Sequence, residues 1–172
     1  MFLNNQKAFT MIEMVAAIFV VNLGIMAVFS LITQSITHIN STASSLTATY
    51  LAQEGVEIAR NIRDGNFLKI NQGGEASWND NLSADEDKDY YNFDYRSESI
   101  PDNINCSGKT HLQISNGYYT CSSSPAVKFQ RKIRISQLGE DKMEVLIEVS
   151  WTERGKANNV SVQETLYRWF SR

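Results

Sequence analysis

Few side chains in this sequence stand at spacings that could do chemistry. Asp85, Asp87 and Asp89 alternate like the first, third and fifth ligands of a calcium loop. Tyr90 occupies the place of the turn glycine, and Arg96 that of the closing bidentate glutamate. A solvated acidic loop without metal is therefore the expectation there. Cys106 and Cys121 flank a segment carrying a hairpin-type Asn116-Gly117 turn. Two cysteines are too few for a structural zinc site and lack the C-x-x-C spacing of a redox centre. In an oxidising compartment they would close one disulfide, worth about 3 kcal/mol in the chain-entropy model. In a reducing one they would stay two separate thiols. His38 and His111 come with no nucleophile or metal-ligand motif, so neither catalysis nor a cofactor is expected. Lys128, Lys132 and Arg134 share one face of a strand, which raises the question of a phosphate backbone. One more ionisable group, Glu13, draws notice for its surroundings.

The chain has 172 residues, with 16 basic and 19 acidic side chains and a net charge of −3. That balance argues against a general nucleic-acid binder. Two prolines and nine glycines exclude a Pro-rich linker and a fibrous repeat. The length suits one small domain plus an accessory element. Hydrophobic residues make up 42% of the chain but crowd towards one end. From Phe9 to Ile32 the only ionisable side chain is Glu13, and Asn22 and Gly24 are the weak interruptions. About 20 such residues cross a bilayer, and no small-residue break follows as it would in a secretory signal.

Beyond Ile32 the composition turns Ser- and Thr-rich without a loop signal. Apolar or small residues keep helical spacing at Ile36, Ile39, Ala43, Leu46 and Tyr50, then slip phase to Leu51, Gly55, Ile58 and Ile62. Asp64-Gly65-Asn66 reads as the stop. One helix from about Thr10 to Arg63, roughly 80 Å long, is the expectation. Glu13 then has two compatible readings. Thr10-Met11-Ile12-Glu13 fits a capping box, in which the acid serves its own helix end. Alternatively, a carboxylate inside an apolar span meets a partner cation in an assembled state.

The remainder predicts antiparallel strands and an α+β class, with the long helix laid on a C-terminal sheet. Segments 127–138 and 142–151 form a hairpin across Gly139-Glu140-Asp141. Its register sets Ile135 against Val145, Ile133 against Ile147 and Phe129 against Trp151. Lys132 then falls opposite Glu148 with Arg134 diagonal to it, so cross-strand pairing accounts for most of the basic stripe, and nucleic acid is not expected as a partner. A third strand from Asn159 pairs Val160 with Trp151 and Val162 with Val149. Glu164 then lands opposite Ile147, where the strand should bulge or end. Residues 90–95 read as a short strand. The helix stripe Leu51, Ile58 and Ile62 would cover the apolar face.

The residues Lys7-Ala8-Phe9-Thr10-Met11-Ile12-Glu13-Met14 resemble the processing site of type IV prepilins and pseudopilins. Asn22-Leu23-Gly24-Ile25, residues 52–60 and the strand-Trp-turn-strand ending are similar to minor pilins of the PilV type. The resemblance implies a leader over 1–8 and cleavage between Ala8 and Phe9 by a prepilin peptidase. N-methylation of the new Phe9 amine and contact of Glu13 with the Phe9 amine of an adjacent subunit follow from it too. It divides the chain into a membrane or filament-core half of the helix at 9–32, an amphipathic half at 33–65 and a globular domain at 66–172. Implied partners are the peptidase, other pilin or pseudopilin subunits and inner-membrane lipid before assembly. The implied location is the cytoplasmic membrane with the globular domain outside, then a surface pilus or periplasmic pseudopilus. Two departures stand out. Ala8 replaces the usual glycine, and no proline interrupts the first half of the helix, leaving Asn22-Leu23-Gly24 for any local melting. The leading expectation is a structural filament subunit. A membrane-anchored ectodomain that never polymerises, or a DNA-uptake subunit, is the alternative.

Overall fold

A single helix, α1, runs Met11–Asn71, followed by five strands: β1 His111–Ser115, β2 Tyr118–Ser122, β3 Phe129–Gln137, β4 Lys142–Glu153 and β5 Lys156–Tyr167. The structure, a computed structural model, describes residues 8–82, 93–100, 106, 109, 111–123 and 127–169. Two compact units divide the chain, one up to Ala43 and one from Ser44 onward.

In the first unit the helix starts where the sequence places its cap. The Glu13 amide donates to the Thr10 hydroxyl at 3.4 Å, and the Met14 amide to the Thr10 carbonyl at 3.2 Å. Asn22-Leu23-Gly24 does not interrupt it: the Asn22 side-chain amide donates to the Ile18 carbonyl at 2.8 Å and the backbone stays helical.

The second unit is an α+β layer pair: the helix from Ser44 onward lies on an antiparallel sheet ordered β2-β1-β3-β4-β5. The helix extends eight residues beyond Arg63, to Asn71, so the Asp64-Gly65-Asn66 stop is not obeyed. Tertiary anchoring overrides those weak helix formers. The Asn66 side chain is buried and donates to the Trp78 and Asp80 carbonyls, and Phe67 is buried next to it. Gly73, at φ +86°, then terminates the helix, with the Gly74 amide returning to the Lys69 carbonyl.

The β3–β4 register agrees with expectation, pairing Ile135 with Val145, Ile133 with Ile147 and Phe129 with Trp151. The third strand is corrected. Val160 pairs with Val149 and Val162 with Ile147, two residues from the expected positions. The cause is a tighter turn: Arg154 and Gly155 both have positive φ and close a two-residue hairpin where a longer loop was expected. An even shift preserves the faces, so Val160, Val162 and Leu166 still turn to the core. Glu164 lies opposite Val145, and the strand neither bulges nor ends there. Its carboxylate takes the Arg60 guanidinium at 2.7 and 2.6 Å. The expected strand at 90–95 is corrected where it is described: Phe93 to Tyr95 lie outside any strand, entering a turn. Asp85, Asp87, Asp89 and Tyr90 fall outside the described residues.

The helix stripe that meets the sheet consists mostly of small residues. Ala48, Ala52 and Ala59 are fully buried, Leu51 and Ile62 buried, and Ile58 half-buried. Gly55 marks the closest approach. A β-carbon there would stand 3.0 Å from both Ile147 Cγ2 and Phe93 Cζ. Glycine is required for that contact.

Candidate functional site

The helix N-terminus holds the residues the sequence singled out. Ala8 and Phe9 are exposed and precede the helix, and Glu13 is exposed in its first turn. The Thr10 cap accounts for one orphan amide of that turn, and the carboxylate sits at the positive end of the helix. After it comes an apolar stretch long enough to cross a membrane, a candidate span with none of its most apolar window buried. Phe9 is 75% exposed and Phe29 64%. Exposing such surface to water costs about 25 cal/mol per Å².

Past the candidate span, three threonine hydroxyls of the Ser/Thr-rich helix bond back to its own carbonyls. Thr33 donates to the Phe29 and Ser30 carbonyls, Thr37 to Thr33 and Thr49 to Ser45. Each of these three donors is used within its own helix. Ile36 and Ile39 are exposed on it, as are Leu46 and Tyr50 further along. His38 is exposed on the same helix.

In the second unit Cys106 and Cys121 form the disulfide allowed by the sequence, with Cα atoms 5.3 Å apart. Asp94 lies fully buried beside it. Burial pushes its carboxyl up, but the Arg96 guanidinium and the amides of Cys121 and Arg96 outweigh that and hold it below its ordinary value. Asp94 and the two sulfurs come within 4.8 Å of one another. With the sulfurs bonded together and the carboxylate taken by Arg96, the cluster is a structural knot, not a ready ligand set.

The basic stripe is paired. Lys128 meets Glu153 at 3.2 Å and also donates to Ser44; Lys132 lies opposite Glu148, and Arg134 opposite Leu146. In a cleft of about 460 Å³ lined by His111, Lys128, Gln130, Ser150 and Trp151, His111 Nε2 lies 2.8 Å from Gln130 Nε2, while the Trp151 indole nitrogen is buried without a hydrogen-bond partner among the described residues.

Arg131 escaped the sequence reading. It is buried on the core face of β3, between Phe129 and Ile133 in the same alternation. Its guanidinium donates to Glu54 at 2.8 Å, to the Leu51 carbonyl at 3.1 Å and to the Phe93 carbonyl at 3.3 Å. It also lies 4.6 Å from the centroid of the Phe93 ring. Burial lowers its pKa, and Glu54 and then Asp94 oppose that. The signal was available: an arginine at core parity in an otherwise apolar face must find partners. Comparison with protein-family models, curated proteins and solved structures finds no match.

Proposed function

We propose that this chain is a structural filament subunit of the type IV pilin class, a minor pilin or pseudopilin, cleaved after Ala8 and assembled through its helix. The carrying observation is that exposed apolar spacing continues past the length that lipid covers. Ile36 and Ile39, then Leu46 and Tyr50, stand exposed three or four residues apart on a helix in which Thr33, Thr37 and Thr49 donate to its own carbonyls. That period suits packing against another helix. A plain membrane anchor has no need of it.

In this reading lipid covers Phe9 to Ile32 before assembly, and neighbouring helices cover it afterwards. Cleavage after Ala8 leaves an ammonium on Phe9 four residues before Glu13. Within a filament core of low dielectric, Glu13 of one subunit neutralises the Phe9 amine of the next. The capping role of Thr10 is compatible, because it engages the Glu13 amide and leaves the carboxylate to a partner.

Glu13→Val tests the reading. Removing the charge makes the span more apolar, so the membrane level should equal that of the unaltered chain. An unmatched buried ammonium costs about 3–5 kcal/mol, so recovery in sheared filaments should fall sharply. Undiminished filament recovery would reduce Glu13 to a helix cap. A chain found only in the membrane, with or without the substitution, would favour the anchored ectodomain.

A further inference from the structure

We infer that the Cys106–Cys121 disulfide is one end of a buried relay that fixes the sheet-facing side of the helix around Leu51 to Gly55. The inference goes beyond the filament reading and does not depend on it. Each link is a direct contact. The Cys121 amide donates to Asp94 Oδ2 at 3.1 Å. Asp94 is joined covalently to Phe93, whose carbonyl accepts from Arg131 Nη2 and whose ring lies beneath the same guanidinium. Arg131 Nη1 donates in turn to the Leu51 carbonyl and to Glu54 on the helix. Phe93 Cζ also packs where a Gly55 β-carbon would stand. Cys106, Cys121, Asp94, Phe93, Arg131 and Leu51 are all buried, and the chain of contacts reaches solvent only at the half-buried Glu54.

The topology makes the disulfide end decisive. Among the described residues the β1–β2 hairpin shares one register pair with β3, Leu112 with Phe129. By contrast, β3 and β4 pair over nine positions and β4 and β5 over twelve. The disulfide and the Cys121–Asp94 bond add to the few contacts that position the β1–β2 hairpin, His111 with Gln130 and Tyr118 stacked on Tyr95. Opening the disulfide loosens Cys121, and with it the support of Asp94 and Phe93. Packed cores shift between discrete arrangements and transmit such a change to their neighbours.

The test is amide hydrogen exchange on the full chain in detergent micelles, oxidised and after treatment with a dithiol. In that step the S–S bond is cleaved to two thiols, and the dithiol gives up two electrons and two protons as it closes its own disulfide. Protection should fall at least tenfold at residues 94–97 and at Leu51 to Gly55. The β4–β5 ladder around Val145 to Val149 should change much less. Unchanged helix protection, or an equal loss across β4 and β5, would overturn the relay. Asp94→Asn with the disulfide kept, verified by a non-reducing peptide map, should lower protection at Leu51 to Gly55 by itself. If that variant leaves those amides as they were, the path through Asp94 is wrong.

Discussion

The two stretches of α1 invert the usual relation between apolar composition and burial. Phe9 to Ile32 is the most apolar part of the sequence, and its large side chains stand exposed. From Ser44 onward the helix is built of Ser, Ala, Gly and a few larger residues, and it is this part that buries a face. Apolar content therefore identifies the medium a helix is made for, and small size identifies the face that must approach another layer. Gly55 and the alanines let the helix come close to β4, as no Leu-rich stripe could.

Substitutions on either side of Ser44 should separate the two kinds of surface. Arg131→Met is expected to have the largest effect, lowering the stability of the globular unit by about 3–5 kcal/mol, because the buried Leu51 and Phe93 carbonyls lose their donor and Glu54 its partner. Thermal unfolding in micelles reads it. Phe29→Ala, an equally drastic truncation in the first stretch, should leave that transition in place, because Phe29 is exposed there. A large shift from Phe29→Ala would mean that the first stretch contributes to the stability of the globular unit.

Gly55→Val should cost less, about 1–3 kcal/mol from overpacking against Ile147 and Phe93. Gly24→Val is its counterpart where nothing stands within 4 Å of the added carbon, and it should be neutral in the same measurement. Equal effects at the two glycines would contradict the close approach at Gly55.

The smallest effect concerns acid. Asp94 has a folded pKa below its ordinary value of 3.8, so the unfolded chain binds its proton first as the pH falls. Its stabilising contribution is complete above that value and is lost as the pH drops through the lower, folded one. Urea unfolding between neutral pH and about pH 3 should show this loss, and Asp94→Asn should flatten that part of the profile. An unchanged acid profile in the variant would show that other groups govern it.

Much of this was legible in the sequence, for reasons that particular residues make plain. The β3–β4 register followed from the three-residue loop Gly139-Glu140-Asp141, and alternation then put Ile133 and Ile147 on the same buried face. The β5 register was missed by two because turn length is set by the positive φ of Arg154 and Gly155, which hydrophobic pattern does not report. The helix end was missed because Asn66 is held by carbonyls from Trp78 and Asp80, contacts no local rule contains. Thr10, Glu13 and the cysteine pair were visible as motifs. Arg131 was visible only as an exception to alternation, and its partners come from two separate segments, the helix at Leu51 and Glu54 and the turn at Phe93.

The mass of the mature chain, purified from cells with an active prepilin peptidase, tests the central claim most directly. A filament subunit of this class should begin at Phe9 and carry one extra methyl group on its amine. A chain that retains Met1 to Ala8 would contradict the account and return the helix to the role of a plain membrane anchor.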